Sequence, residues 1–199
     1  KSQFVKQLLV NLSKLHGYKH CIYLGEDGCV EEIILELGEI YLKKPLRDKD
    51  AKGNQREGVG DAFEREEAMS FVDKHFRIVS PDDADITTFD IVKFYEWVAA
   101  YEAEYQIKFD TTVIDPWNDL EQDVNSKQGR EDLVIADALK LVRQSSKKNN
   151  RTDFVITHIA ARWAKHRSER GHRYATPAEA NELAGGQQWK RRSFQMLLV

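Results

Sequence analysis

Residues 111–116 read Thr-Thr-Val-Ile-Asp-Pro, and this stretch decides the fold that the sequence predicts. Its first four side chains are β-branched, a composition that favours an extended strand buried on both faces. Asp115 follows these residues directly, and Pro116 cannot donate a hydrogen bond within a sheet. We therefore predict a buried parallel strand over residues 111–114 that ends at Asp115.

Similar short apolar runs lie on either side of this stretch and alternate with segments of helical spacing. We predict strands over residues 20–24, 76–79 and 154–159, and a last strand-like run over residues 194–199. Helices are predicted over residues 3–15, 30–42, 62–75, 85–106, 131–147 and 177–183, with Gly17 ending the first, Asp61 capping the third and residues 85–88 capping the fourth. This alternation predicts an α/β domain with a mainly parallel sheet and helices on both faces.

Length and composition indicate one globular domain over residues 1–199. Apolar residues make up 41% and charged residues 32% of the chain, which excludes a disordered or collagen-like protein. The chain has no apolar run near 18 residues and no signal-peptide pattern, so we expect no membrane association and a cytoplasmic location.

The first helix has no strand before it and the last apolar run ends with the chain, so we expect a fragment of a longer protein. Residues 43–60 lose all periodicity and are predicted to form a mobile loop.

The two cysteines and the charges narrow the possible partners. Cys21 and Cys29 are eight positions apart without a Cys-x-x-Cys pair, so we expect reduced thiols packed as small apolar side chains. The formal net charge is -3, yet residues 162–173 are strongly basic, and Glu169 is their only acid. This segment would attract a polyanion, although such charge runs are also common on solvated surfaces.

Three chemically active residues lie at the ends of predicted strands or just past them. They are Glu26, Asp115 and His158. Ligands of open parallel sheets bind beyond the carboxyl ends of the strands, so these residues are predicted to share one edge. Each residue alone has an ordinary interpretation, as a turn acid, a turn-forming aspartate and a core or surface histidine.

The chain begins with Lys1-Ser2, the last two positions of the phosphate loop G-x-x-x-x-G-K-[ST]. In that loop the dipeptide opens an amphipathic helix that leads to a second strand, as residues 3–24 are predicted to do. An acid after an apolar strand, as at Asp115, is the second requirement of a metal-nucleotide site. The two features together predict such a site.

Five segments, in this order along the chain, resemble the RecA-like ATPase core of hexameric replicative DNA helicases, especially the Twinkle-like and phage primase-helicase group. They are residues 1–4, 21–26, 113–118, 155–158 and 183–186. The resemblance covers most of the chain, but residues 43–75 contribute little to it. It implies a three-layer RecA-like P-loop NTPase core that lacks its first strand and is truncated at the C-terminus.

The resemblance also implies the roles of individual residues, with ATP and Mg²⁺ as ligands. Lys1 would neutralise the β- and γ-phosphates, and Ser2 and Asp115 would hold Mg²⁺. Glu26 would orient and deprotonate the attacking water, and His158 would sense the γ-phosphate. The chain would act as an ATP-hydrolysing motor that moves along single-stranded DNA.

The family's DNA-binding loop matches residues 162–176. The cations that would contact single-stranded DNA there are Arg162, Lys165, Arg167, Arg170 and Arg173. The resemblance further implies a homo-oligomeric, hexameric ring, an attached primase or a loader, and a nucleoid-associated location in a bacterial or phage-infected cell. Arg191 and Arg192 are the nearby candidates for the arginine finger that acts on the adjacent subunit. Two alternatives remain open, a RecA-like recombinase or single-strand-binding ATPase, and a nucleotide- or DNA-binding module without hydrolysis.

Overall fold

A computed structural model of the protein describes residues 2–25, 29–50, 52–80, 90–120, 128–157, 183, 187–193 and 195–197. The strands within these ranges are β1 (His20–Leu24), β2 (Phe76–Val79), β3 (Thr111–Asp115) and β4 (Thr152–Val155). The helices are α1 (Ser2–His16), α2 (Val30–Leu42), α3 (Ala62–His75), α4 (Ile91–Glu104), α5 (Glu131–Asn149) and α6 (Gln187–Arg192). None of these helices is long and apolar enough to cross a membrane.

The four strands form one parallel sheet in the order β2-β1-β3-β4. In the register of the central pair, His20 lies beside Thr111 and Leu24 beside Asp115. All carboxyl ends therefore lie at one edge of the sheet and all amino ends at the other. The strand predicted from residues 111–114, with Asp115 at its end, is confirmed.

Two apolar clusters cover the two faces of this sheet. On one face α1, α2 and α3 pack against Ile22, Leu24 and Val113. On the other face α4, α5 and α6 pack against Tyr23 and Ile114. Alternate side chains of β1 and β3 thus enter opposite clusters, as expected for strands buried on both faces. The predicted α/β class, with a parallel sheet between two helical layers, is confirmed.

Local signals set several helix ends as predicted. Gly17 adopts the left-handed conformation, with φ of 71°, and its N–H donates to the Ser13 carbonyl at 2.9 Å. Asp61 caps α3 by accepting from the Glu64 N–H at 2.8 Å, and the Glu64 carboxylate accepts in return from the Asp61 N–H. Both contacts satisfy backbone groups that a helix end would otherwise leave unpaired.

Other boundaries differ from the prediction. The predicted start of the fourth helix was wrong, because α4 begins after Asp90. The Asp90 carboxylate caps the helix by accepting from the Val92 and Lys93 N–H groups at 2.8 and 2.9 Å. The cap predicted at residues 85–88 lies outside the described ranges. The strand predicted over residues 154–159 instead begins at Thr152 and ends at Val155. Helix α6 was not predicted, and residues 195–197 do not form the expected strand.

The loop after α2 is held by side-chain contacts in its described part. Glu39 accepts hydrogen bonds from the Leu46 N–H at 3.0 Å and from the Arg56 guanidinium at 3.1 Å. Asp50 accepts from the Lys52 and Asn54 N–H groups, both at 2.8 Å. These contacts shape the loop locally, and its mobility stays a prediction.

The two cysteines lie in different surroundings. Cys21 is buried within β1, where loss of hydration raises the pKa of its thiol, as expected for a thiol packed as an apolar side chain. Cys29 is exposed, and its thiol donates to the Glu31 carboxylate at 2.8 Å. The prediction of a packed thiol was therefore wrong for Cys29, because it lies at the exposed N-cap of α2.

Candidate functional site

The carboxyl ends of β1 and β3 lie side by side in the centre of the sheet. The Gly25 N–H, just past β1, donates to the Asp115 carbonyl at 3.2 Å. From this pair the chain leaves in two directions, since α2 packs on one face of the sheet and α5 on the other. Such a divergence opens a crevice at the carboxyl edge, the usual ligand site of open parallel sheets.

Asp115 is the acid at this crevice. Its side chain is half-buried, and the residues that the structure describes offer its carboxylate neither a hydrogen bond nor an ion pair. The peptide bond that joins Asp115 to Pro116 is cis. An acid held at a strand end without an internal partner is available to an external cation or donor.

A second acid of the same edge, Asp119, was not predicted as part of the site. It lies in a short 3₁₀ turn, Trp117–Asp119, and its carbonyl accepts from the Tyr23 hydroxyl at 3.4 Å. Its carboxylate lies against Gly25: a Cβ added to Gly25 would lie 2.1 Å from Asp119 Oδ2. Only glycine leaves room for this approach. The glycine at the end of the predicted strand was the one sequence signal for this contact.

The segment after β3 is also tied to β4. The Trp117 N–H donates to the Ile156 carbonyl at 2.7 Å, and the Thr157 hydroxyl donates to Asn118 Oδ1 at 3.2 Å. Trp117 is buried and meets Trp189 of α6 edge to face, with ring centroids 5.4 Å apart. Because bonds to both neighbouring strands hold this segment, the position of Asp115 is well determined.

Helix α1 brings Ser2 to the same edge. Three residues, 17–19, join the end of α1 to the amino end of β1, so α1 runs back toward the carboxyl ends from its C-terminus to its N-terminus. Its 15 residues correspond to about 22 Å, longer than the strand beneath it. Lys6 fixes the helix against α2 through an ion pair with Glu36 at 2.5 Å. Chain direction therefore puts the start of α1 toward the carboxyl edge of the sheet.

Of the predicted site residues, Ser2 and Asp115 lie within the described ranges, and chain direction puts both toward the carboxyl edge. Lys1, Glu26 and His158 lie outside the described residues, as do the predicted DNA-binding residues Arg162, Lys165, Arg167, Arg170 and Arg173. The described chain neighbours of Glu26 and His158, which are Gly25 and Thr157, lie at the crevice edge. The arginine-finger candidates Arg191 and Arg192 end α6, which packs on α5.

Asp115 and Ser2 are described residues of this edge that could take part in holding a metal ion. Across the described ranges, no three His, Cys, Asp or Glu residues are close enough to hold a metal ion by themselves. Mg²⁺ at phosphate sites typically takes one or two carboxylates and completes its coordination with phosphate oxygens and water. The Asp115 carboxylate, which has no internal partner among the described residues, and the Ser2 hydroxyl fit that requirement.

The amino edge of the sheet carries polar side chains that contact one another. His20 is fully buried, and its two ring nitrogens lie 2.9 Å from Ser13 Oγ and 2.6 Å from Thr111 Oγ1. Burial lowers the pKa of His20 to about 4, so the ring is neutral at physiological pH. Both nitrogens are satisfied by hydroxyl groups, which indicates a structural role for this histidine.

On the opposite face of the sheet, Arg151 lies between two acids. Its guanidinium is 3.5 Å from Asp153 Oδ1 and 3.5 Å from Glu102 Oε1, and it donates to Ser145 Oγ at 2.7 Å. The Thr112 hydroxyl donates to Asp153 as well. Burial raises the pKa of the Asp153 carboxyl, and the Thr112 hydrogen bond and the Arg151 charge oppose that rise. The charges of this cluster lie against one another, which indicates a structural role.

Sequence comparison does not identify a relative of this chain. No protein-family model matches it, and no curated protein is significantly similar to it. Its function must therefore be inferred from its residues and their geometry, which place an acid and a helix N-terminus at the crevice of a parallel α/β sheet.

Proposed function

We propose that this chain is the ATP-hydrolysing motor domain of a ring-forming replicative DNA helicase that translocates on single-stranded DNA. The observation that carries the proposal is the Asp115 carboxylate, without a partner among the described residues, at the carboxyl end of a central parallel strand. Chain direction puts the N-terminus of α1 toward the same edge, where its backbone N–H groups would favour a phosphate. An acid for the metal and a helix end for the phosphates are two of the parts of a P-loop nucleotide site, and the glycine-rich loop and its lysine are the others.

The handedness of the fold gives an upstream phosphate loop a defined place. The chain passes from β1 to β2 through α2 and α3, and α1 packs on that same face. Since parallel connections are right-handed, a strand that led into α1 would lie on the far side of β4 from β3. The loop joining that strand to α1 would then end at Lys1 and Ser2, beside the crevice. The observed sheet order is therefore compatible with a complete phosphate loop.

The proposed reaction is the attack of water on the γ-phosphorus, which breaks the bond to the β-γ bridging oxygen and releases ADP and phosphate. Glu26, one residue beyond Gly25, would orient the water and accept its proton. Lys1 would neutralise phosphate oxygens, and Ser2 and Asp115 would hold Mg²⁺. Bound Mg²⁺ would supply positive charge that offsets the charge of the phosphate oxygens.

Loss of the γ-phosphate would be transmitted to DNA along the chain after β4. His158 would sense the γ-phosphate, and the basic residues of the 162–176 segment follow it closely in sequence. Arginine and lysine contact phosphates without reading sequence, as a translocating motor requires. Hydrolysis would in this way release or shift the grip on a single strand.

ATP hydrolysis measured with and without single-stranded DNA tests the proposal, in a chain extended upstream of Lys1. We expect DNA-stimulated turnover that Glu26→Gln nearly abolishes while ATP binding is retained. Glu96→Gln is the matched control, because Glu96 is an exposed glutamate of α4. Equal turnover by Glu26→Gln and the parent would remove Glu26 from the mechanism. ATP binding without turnover in the parent chain would favour the module without hydrolysis.

DNA binding and strand separation are tested separately. Arg167→Ala with Arg170→Ala should weaken single-strand binding and reduce the salt slope by roughly 1.4, since each phosphate that is no longer neutralised lowers the slope by about 0.7. An unchanged slope would assign both arginines to ordinary solvated surface. A strand-displacement assay distinguishes a helicase from a RecA-like recombinase, which would hydrolyse ATP without displacing a strand.

A further inference from the structure

A basic groove lies between α5 and α6, away from the crevice. Its walls carry Lys140, Arg143 and Lys147 of α5 and Arg192 of α6, with Gln144 and Leu139 also in its lining. The groove has a volume of about 240 Å³. We call these residues the α5–α6 basic groove.

The groove is positive in a protein that is acidic as a whole. Residues 138–150 and 187–192 together contain seven lysines and arginines and no acid, whereas the formal net charge of the chain is -3. The four cations of the groove have no ion-pair partner among the described residues. Several cations elsewhere are paired within the fold, such as Lys44 with Glu64 at 2.5 Å and Arg65 with Asp48 at 2.8 Å. The positive charge of the groove is therefore not neutralised by the described part of the fold.

The cations of α5 form a line along one side of the helix. Residues 140, 143 and 147 are spaced three and four apart, so they share a face of α5, and all three side chains are exposed. Their Cα atoms span about 10 Å along the helix axis. Arg192 closes the groove from the other side, and its guanidinium donates to Gln188 Oε1 at 3.4 Å. These residues lie in the half of α5 that approaches the amino ends of the strands, so the groove is separate from the carboxyl edge.

We propose that the α5–α6 basic groove binds the sugar-phosphate backbone of a nucleic acid. Three cations in a row of about 10 Å lie close enough together to contact neighbouring phosphates of one strand. The guanidinium groups of Arg143 and Arg192 offer planar donor pairs that fit phosphate oxygens. The contact reads no bases, because every cation here is suited to phosphate and the described lining contains no aromatic ring. The inference adds a second nucleic-acid contact to the proposed function and does not require hydrolysis.

The test uses the full chain without nucleotide and measures fluorescence anisotropy of labelled DNA over a range of salt. The probes are a 20-nucleotide single strand and a 20-base-pair duplex. The variant is Lys140→Glu with Arg143→Glu and Lys147→Glu, which leaves both arginine-finger candidates unchanged. We expect at least tenfold weaker binding and a salt slope smaller by about two to three, because each phosphate released by the variant lowers the slope by about 0.7–0.9. The matched control replaces three exposed lysines outside the groove by glutamate and so changes the net charge by the same amount. These lysines are Lys52, Lys74 and Lys108.

The possible outcomes distinguish nucleic-acid binding at the groove from an effect of net charge and from binding of an acidic protein. Weaker DNA binding by the groove variant alone, with an unchanged thermal unfolding midpoint, supports the groove. An equal loss of DNA affinity in the control variant would show that net charge alone causes the loss, and it would overturn the proposal. Unchanged DNA binding together with lost binding of polyglutamate would overturn it in favour of an acidic protein partner. A triple alanine variant at the same three positions must show a smaller loss in the same direction. Since no step of this test needs ATP turnover, an inactive ATPase would leave its result intact.

Discussion

Asp153 and Asp115 lie on neighbouring strands of one sheet, at opposite edges. The Asp153 side chain is 2% exposed and contacts Arg151 and Thr112, whereas Asp115 is half-buried and has no partner among the described residues. Buried charge is tolerated only where other groups compensate for its lost hydration, so Asp153 belongs to the fold. An acid that the fold leaves unpaired costs less to keep near solvent and remains available to a ligand. The amino edge therefore supports stability, and the carboxyl edge is left for function.

Breaking the amino-edge cluster should have the largest effect. Arg151→Met leaves buried Asp153 and half-buried Glu102 without a counter-charge, and we expect the free energy of unfolding to fall by about 3 kcal/mol. Both ion-pair distances are 3.5 Å, so the expected loss lies at the lower end for buried pairs. Urea denaturation measures it. Arg143→Met, at an exposed position of α5, should change stability by less than about 0.5 kcal/mol. Equal losses of stability in the two variants would contradict the expected difference between buried Arg151 and exposed Arg143.

A fall in pH should lower the free energy of unfolding because it favours protonation of His20 in the unfolded chain. The folded pKa of about 4 lies below the usual 6.5, so the unfolded chain binds the proton first as the pH falls. The stability that neutral His20 contributes is complete above about pH 6.5 and is lost as the pH falls toward 4, in total about 3 kcal/mol. The raised pKa of Asp153 acts in the opposite sense, so the decisive quantity is the difference from His20→Gln. Parallel stability profiles of the two proteins between pH 7 and 4 would refute this assignment.

At the carboxyl edge, Gly25→Ala tests how closely the segment after β3 approaches β1. The new methyl group would overlap the Asp119 carboxylate, so we expect a loss of about 1–3 kcal/mol and weaker nucleotide binding. Gly25→Ala combined with Asp119→Gly removes the overlap, because the Asp119 Cβ would itself lie 2.7 Å from the new methyl group, and it should recover most of the stability. Thermal unfolding and titration with a fluorescent ATP analogue measure the two effects. If the double variant is no more stable than Gly25→Ala, the clash is not the cause.

Asp115→Asn should have the smallest effect on stability and a large effect on binding. Because the carboxylate has no internal partner among the described residues, we expect the free energy of unfolding to change by less than about 0.5 kcal/mol. Affinity for Mg²⁺-ATP should fall at least tenfold in the upstream-extended chain. Asp153→Asn is the matched control and should lower stability by about 1–3 kcal/mol. A destabilised Asp115→Asn protein with normal affinity would reverse the comparison.

Local sequence was sufficient to predict most elements because their signals are local. The buried run of β1, the glycine after α1 and the cap of α3 depend on residues within a few positions of each other. The start of α4 was missed because several neighbouring polar residues can cap a helix, and packing selected Asp90. The first two residues of β4 are polar, and they enter the sheet through pairing with Thr111 and Thr112. No short-range pattern reports that pairing.

The site was predictable only in part for the same reason. Asp115 was identified because it follows a strand, and parallel topology then placed it at the edge with the N-terminus of α1. The approach of Asp119 to Gly25 joins positions 94 apart in the chain, so it depends on the register of β1 and β3. Helix α6 was missed similarly, because Trp189 is buried through contact with distant Trp117. Spacing patterns along the chain do not reveal which distant residues the sheet brings into contact.

The edge-to-face contact of Trp117 and Trp189 gives this protein a built-in optical reporter. Trp117 lies two residues after the acid of the crevice, and Trp189 precedes the basic end of α6. Indole rings 5.4 Å apart couple their electronic transitions, so near-ultraviolet circular dichroism should register any change in their distance. A ligand that moved either the segment after β3 or helix α6 would change the signal of this one pair of chromophores.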